Sequence, residues 1–351
     1  MYTMRDVARL AKVSVATVSA VANDKHGVSP GLTARVKVAM EALDYHPDQV
    51  ARSLKVRSTH TIGMLVPDVT NPFFTDMMRG VEDKARENGY SVILCNSNED
   101  PDQERRNLST LYSRRADGVL LAPVDPQSGL DPLIRRRFPL VLFDRVPVGF
   151  RGAGVVMDNE QGAYEATRHL IGLGHRRIAI IAGRLSISTG NDRLEGFRKA
   201  MQEAHLPLRD EYLKTGDFRL EAASRCGLEL MKLPEPPTAI FSSNNKMTLG
   251  LMRALGELQI PCPGRVSVVG FDDFDWAEMF RPSLTSVRQP AYAMGVQAME
   301  MLLRKIQLTA EGSNADEETL RVLKGELRIR ESSGPPCGET PQEEVAAVGL
   351  T

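Results

Sequence analysis

From residue 61 onward the chain repeats one pattern: a short, continuous apolar run, then a longer stretch with the rhythm of an amphipathic helix. The runs Ile62-Gly63-Met64-Leu65-Val66, Ser91-Val92-Ile93-Leu94-Cys95, Gly118-Val119-Leu120-Leu121-Ala122 and Leu140-Val141-Leu142-Phe143 alternate with helical segments expected at 72–88 and 102–115. Strands that are apolar at every position are buried on both faces, which points to a parallel sheet covered by helices on each side. A helix at 161–172 restarts the series. Arg177-Ile178-Ala179-Ile180-Ile181, a helix at 191–204, Thr238-Ala239-Ile240-Phe241, a helix at 246–258 and Val266-Ser267-Val268-Val269-Gly270 follow. The expected fold is therefore α/β, with two doubly wound parallel-sheet lobes facing each other across a cleft.

In such sheets ligands bind beyond the carboxyl ends of the strands. The segments there are Thr70-Asn71-Pro72-Phe73-Phe74, Asp144-Arg145, Asn191-Asp192-Arg193, Gly216-Asp217-Phe218, Asn244-Asn245 and Phe271-Asp272-Asp273. Carboxylates and amides bind hydroxyl groups, arginine forks onto oxygens, and aromatic faces stack on rings. The mixture suits a hydroxyl-rich small molecule. Asp217 and Asp273 read as caps or turn residues. Phe74 divides evenly between core and pocket, and so does Trp276 between cleft and loop packing.

Catalytic chemistry finds no support. No Gly-rich phosphate loop ends in Lys-Ser/Thr, and Gly172-Leu173-Gly174-His175 lacks both a third glycine and a preceding strand. No Gly-x-Ser-x-Gly elbow occurs. Four scattered cysteines and six dispersed histidines show no metal-ligand spacing, so neither cofactor nor metal is expected. His175 reads as a loop residue.

The first residues have a different texture. Met4, Val7, Ala8 and Ala11 fall on one helical face, and Lys12-Val13 makes a break. Ser14 can cap a second helix, from which Val18 and Val21 turn inward. Val15, Ala16, Ser19 and Ala20 then face outward near its start, the part of a helix-turn-helix that meets base edges. Ser29 is placed to cap a third helix with Pro30 at its first position, and Val36, Met40 and Leu43 give that helix an apolar stripe. A basic segment, Ala51-Arg52-Ser53-Leu54-Lys55-Val56, follows with Asp48 as its cap.

These residues resemble the headpiece of the LacI/GalR (lactose-repressor) family. Val13-Ser14-Val15-Ala16-Thr17-Val18-Ser19 is similar to its recognition helix, and Ala51-Arg52-Ser53-Leu54-Lys55 to its hinge helix in the form of the purine-responsive members. The resemblance extends over residues 60–331, which look like the family's periplasmic-binding-protein-like (type I) effector domain. It implies a repressor that binds a pseudo-palindromic operator in double-stranded DNA as a homodimer under control of a small molecule, expected to be a sugar. It also implies three crossovers between the lobes, with the helix near 291–306 returning to the first. The DNA-contacting positions it implies are Thr3, Ser14, Val15, Ala16, Thr17, Ser19, Ala20, Asn23, Ala51, Leu54 and Lys55. Leu54 stands where the family wedges a leucine between base pairs, unstacking offset by the contacts of a kinked duplex. The implied effector positions are Phe73, Asp144, Arg145, Arg193, Phe218, Asn245 and Asp272. At the Ala20 position the family often carries an arginine, which can fork onto guanine; alanine reaches at most a thymine methyl.

The expected divisions are a headpiece at 1–47, a hinge helix and linker at 48–59, the two-lobed domain at 60–331 and a disordered tail at 332–351, which lacks leucine heptads. Overall charge is near neutral, but residues 1–60 carry about +4 and the remainder about −5. With no signal peptide and no apolar run of membrane-spanning length, a cytoplasmic protein without membrane attachment is expected. A stand-alone solute receptor would need an export signal and no headpiece. A purine- or nucleoside-responsive repressor is the other alternative.

Overall fold

A computed structural model describes residues 2–22, 27–45, 58–124, 130, 133, 136–147, 149–313 and 319–337. The chain forms two compact units, Met1–Thr59 and His60–Thr351. Among the described residues the first holds three helices: α1 (Met4–Ala11), α2 (Val15–Ala22) and α3 (Pro30–Ala42). Its small core gathers Val7, Ala8, Ala11, Val18, Val21, Val36 and Ala39. Lys12 ends α1 in the left-handed region at φ 50°. The Ser14 hydroxyl caps α2 by accepting from the Thr17 N–H at 3.0 Å. Ser29 sits at the start of α3 as expected, but its side chain makes no capping bond.

The second unit contains two six-stranded sheets. The first runs in the order β11-β5-β4-β3-β1-β2, formed by β1 (Thr61–Val66), β2 (Ser91–Asn96), β3 (Gly118–Leu121), β4 (Leu140–Phe143), β5 (Gly154–Met157) and β11 (Leu320–Leu323). All its pairings are parallel. The second runs β12-β10-β9-β8-β6-β7, with β6 (Ile178–Ala182), β7 (Leu213–Thr215), β8 (Ala239–Ser242), β9 (Ser267–Phe271), β10 (Thr285–Arg288) and β12 (Glu326–Arg328). Only β10–β12 is antiparallel among its pairings. Strands β3, β4, β5, β6, β8 and β9 are buried at every residue, as continuous apolar runs require.

Among the described residues, seven helices cover the sheets: α4 (Pro72–Glu87), α5 (Pro101–Ser113), α6 (Asn159–Gly172), α7 (Ser188–Glu203), α8 (Leu220–Met231), α9 (Asn245–Glu257) and α10 (Ala291–Ala310). The chain leaves the first lobe after β5, returns with α10 after β10, and leaves again between β11 and β12. These are three crossovers, and the Asp158 N–H donates to Leu323 O at 2.8 Å between two of them. Three helix pairs touch backbone to backbone at glycines. A methyl group on Gly80 would stand 2.2 Å from Tyr292 O, on Gly196 2.1 Å from Glu160 O, and on Gly250 2.1 Å from Leu220 O.

The expected disordered tail starts too early at Ser332. Ser332 is fully buried, its hydroxyl donates to Val268 O at 2.7 Å, and its N–H donates to Ser283 O at 2.9 Å. Gly334 O accepts from the Ser267 hydroxyl at 2.8 Å and lies 2.8 Å from His175 Nε2. His175 is therefore a buried tie between the lobe and this segment, 1% exposed. Residues 338–351 lie outside the described residues. Among the described residues, no helix is long and apolar enough to cross a membrane.

Candidate functional site

The outward face of α2 comes from its burial pattern. Val18 and Val21 are spent on the core, which leaves Ser14, Val15 and Ala16 exposed and Thr17, Ser19 and Ala20 half-buried beside them. Thr3 is exposed at the start of α1, where its N–H and hydroxyl donate to Asp6 Oδ2 at 2.9 and 2.7 Å. Arg35, which drew no attention in the sequence, reaches back from α3. Its guanidinium donates to Ala11 O at 2.5 Å and Lys12 O at 3.1 Å. A cation on the last carbonyls of α1 satisfies groups the helix leaves open and fixes the turn that aims α2. Asn23, Ala51, Leu54 and Lys55 lie outside the described residues.

In the second unit all seven residues singled out past the strand ends are buried and converge between the lobes. Phe73, Asp144 and Arg145 come from the first lobe; Arg193, Phe218, Asn245 and Asp272 come from the second. Asp144, Phe218 and Asp272 all take left-handed backbone, at φ 61°, 58° and 66°. Such conformations are costly for residues with a side chain and concentrate at functional sites.

The electrostatics are those of two acid–guanidinium pairs in a dry place. Arg193 Nη2 lies 3.6 Å from Asp272 Oδ1, and its guanidinium is stacked 3.8 Å from the Phe271 ring centroid. Asn159 Oδ1 accepts from Arg193 Nε at 2.8 Å and Ser243 O accepts from Nη1 at 2.6 Å. Burial pulls the Arg193 pKa down, against the pull of Asp272 and Asp144. Arg145 donates both Nη groups to Glu99, at 3.0 and 2.7 Å, and lies over the Phe218 ring at 5.1 Å. Burial is the largest single influence and opposes its charge, but the carboxylates of Glu99, Asp144 and Asp272 together outweigh it and raise the pKa. Asp144 has the opposite balance: burial dominates Arg145 and Arg193, and its carboxyl is pushed up to about 6.

Amides complete the cluster. Asn71 caps α4 by accepting from the Phe73 N–H at 3.0 Å, and the same oxygen accepts from Asn245 Nδ2 of the other lobe at 2.8 Å. Gln289, in a crossover segment, donates to Asp272 Oδ1 at 2.5 Å, while its own Oε1 is buried with no hydrogen-bond partner among the described residues. Gln289, Glu99 and Asn159 carried no signal in the sequence, and Asn71 showed only as part of its loop. Two cavities flank the cluster. One of about 330 Å³ borders Asn71, Arg145 and Phe218; one of about 290 Å³ borders Phe73, Asp272 and Gln289.

The two even cases, Phe74 and Trp276, each prove to be both. Phe74 packs edge-on against Phe73 and Phe143 and also borders the first cavity. Asp217 holds Arg184 at 2.9 Å, and Asp273 is gripped by Arg330 at 2.7 and 2.9 Å. Trp276 packs on Phe274, ring centroids 4.2 Å apart, and borders the second cavity. Among the described residues, no group of three or more His, Cys, Asp or Glu could hold a metal ion.

Known proteins share both units. Residues 3–48 match the family described as bacterial regulatory proteins, lacI family, and residues 59–330 match periplasmic binding proteins and the sugar binding domain of the LacI family. The ribose operon repressor of Escherichia coli (strain K12) is 40% identical over 310 residues, 87% of this chain and 93% of that protein. The repressor PurR of Vibrio vulnificus (strain CMCP6) is 37% identical over 309 residues, 88% and 92% of the two chains. Among solved structures, the lac repressor dimer bound to operator is similar with TM-score 0.83 and 25% identity over 95% of this chain and 99% of that one. A LacI family regulator from Enterococcus faecium with bound ribose has TM-score 0.68 and 30% identity over 78% and 99%. With both units matched along nearly their whole length, the chain belongs to the LacI family of bacterial regulatory proteins, which bind DNA to control transcription.

Proposed function

We propose that this regulator is a repressor whose effector is ribose or a close pentose relative, held between the lobes by Phe73, Asp144, Arg145, Arg193, Phe218, Asn245 and Asp272 with Asn71 and Gln289. The observation that carries the reading is the pairing of Asp144 with Arg145 and of Asp272 with Arg193 in a buried cluster edged by amides and two phenylalanines. Carboxylates accept from hydroxyls, guanidinium groups donate to them, and amides do both, so a polyol can satisfy every group at once. The similarity to the ribose operon repressor and to a ribose-bound regulator agrees with that chemistry. A purine base offers fewer donors to two buried carboxylates, although PurR is also a relative.

The protein would act in the cytoplasm as a homodimer, two headpieces placing Val15, Ala16 and Ala20 on the half-sites of a pseudo-palindromic operator. Residues 48–59, with Leu54 at the family's wedge position, would couple effector binding to DNA affinity. Coupling between two such sites is typically about 1–3 kcal/mol. Ribose, other pentoses, hexoses, hypoxanthine and guanine are titrated into the full-length protein by calorimetry, and operator DNA is recovered by selection from random duplexes. Ribose binding that changes the affinity of the selected DNA supports the proposal. Binding of a purine in preference to every sugar would sink it.

A further inference from the structure

The two lobes are fastened to each other beside the candidate effector site by groups that belong to neither pair of the cluster. Lys246 Nζ, on α9 of the second lobe, donates to the Asp68 carboxylate and, at 2.7 Å, to Thr70 Oγ1, both in the loop after β1 of the first lobe. The adjacent Asn245 makes its bond to Asn71 of that same loop. Asp68 is set in advance: its Oδ1 accepts from the Thr70 N–H at 2.9 Å and the Thr70 hydroxyl at 2.7 Å. Burial works against its charge, yet Lys246 and Thr70 hold its carboxyl below the usual range.

Lys246 is in the wrong place for the helix that carries it. It occupies the first turn of α9, a turn without an acidic residue. The helix dipole disfavours a cation there, where free N–H groups already make the end positive. Among the described residues, the compensating carboxylate comes only from across the cleft. Lobe separation would return Lys246 to an unfavourable field, so the pair rewards closure more than an ordinary surface pair does. Both side chains are partly withdrawn from water, at 29% and 25% exposure, and both border the 330 Å³ cavity that reaches Asn71, Arg145 and Phe218.

We propose that Asp68 and Lys246 form a clasp that holds the cleft closed before any effector arrives and thereby sets the effector's apparent affinity and residence time. The clasp positions the lobes; it does not touch the effector. A ligand that needs the closed form binds with its intrinsic constant divided by the closed fraction, so a clasp that raises this fraction tightens binding without adding a contact. Because the pair is partly exposed, salt weakens it. The inference rests on the pentose reading only for the choice of ligand.

The test uses full-length wild type, Lys246→Met, Lys246→Arg and the double exchange Asp68→Lys with Lys246→Asp. Hydrogen exchange of the ligand-free proteins reads the clasp directly. Lys246→Met is expected to speed exchange in both 68–75 and 244–250 while strands β3 and β9 keep their protection. Ribose binding is then expected to weaken about tenfold, mainly through faster dissociation, and to lose its dependence on salt. Lys246→Arg should stay within about twofold of wild type, and the charge exchange should recover most of the loss. Unchanged exchange in Lys246→Met overturns the clasp. So does a loss of affinity that neither the arginine nor the exchanged pair recovers, since that marks local damage to α9. If wild type itself ignores ribose, the effector reading falls, and the ligand-free exchange still decides the clasp.

Discussion

Arg193 and Asp272 face each other at 3.6 Å with side chains 3% and 5% exposed, so neither charge has water to fall back on. Removing one partner of such a pair leaves the other charged and buried, at a cost of about 3–5 kcal/mol. Arg193→Met should destabilise the unliganded protein by that order and weaken effector binding by at least about a hundredfold. Urea unfolding and calorimetric titration read the two effects. Wild-type affinity in this variant would remove Arg193 from the pocket.

Asp144 should give the site a pH dependence of definite sign. A carboxyl raised from 3.8 to about 6 by burial costs stability as pH climbs through that window, because its charged form is the one the fold disfavours. Asp144→Asn should therefore stabilise the ligand-free protein above pH 6, by about 3 kcal/mol, and not below pH 3.8. Effector binding, which needs an acceptor there, should weaken in the variant, and in wild type as pH falls through about 6. Melting curves and titrations across this range check both halves.

Arg35 holds the carbonyls of Ala11 and Lys12 and so fixes the angle at which α2 leaves the turn. Arg35→Met should cost about 1.5–3 kcal/mol in the headpiece. Operator affinity should drop while effector affinity stays at the wild-type value. Equal losses at both sites would show that Arg35 does more than hold the turn before α2.

Ala20 is half-buried on α2, and in the proposed operator complex it is the position expected to read bases least. Ala20→Arg should shift the selected operator toward guanine at one position per half-site, with discrimination of about 1–3 kcal/mol against other bases. Selection from random duplexes with both proteins reveals the shift, or its absence.

Ser332–Cys337 should behave as part of the second lobe. A chain ending after Glu331 loses the bonds of Ser332 to Val268 and of Gly334 to Ser267 and His175. It should be at least about 3 kcal/mol less stable than one ending after Cys337, at about 1 kcal/mol for each buried hydrogen bond. Equal melting temperatures would show the segment to be dispensable.

Most of the strands that were legible are buried on both faces, but Ser91–Asn96 was read although none of its residues is buried, and Gly154–Met157 was missed although every one is. Leu140–Phe143 was read with the limits it has in the structure, because four apolar residues between polar ends admit little else. Strand β10 was not read: Thr285 and Ser286 are polar yet buried, satisfied by Ser332, Ser333, Arg330 and Asp273 from elsewhere in the chain. The same blindness hid Gln289, whose meaning depends on Asp272, and Glu99, whose meaning depends on Arg145. Loop residues past the strand ends could be named from topology alone. Residues that hold those loops in place could not, since their partners lie far off in the chain, 178 positions away for Asp68 and Lys246. The tail was misread for a related reason: Gly334-Pro335-Pro336 looks like a solvated linker until His175 and Ser267 supply its bonds.

The glycine contacts between helices determine where effector energy can go. With backbones touching at Gly80, Gly196 and Gly250, neither lobe has a sliding surface between its paired helices. Each lobe is stiff, and dense packing transmits displacement instead of absorbing it. Closure on the proposed effector is therefore expected as rotation about the three crossover segments. Jaws that do not bend would turn a few hydrogen bonds to that effector into leverage.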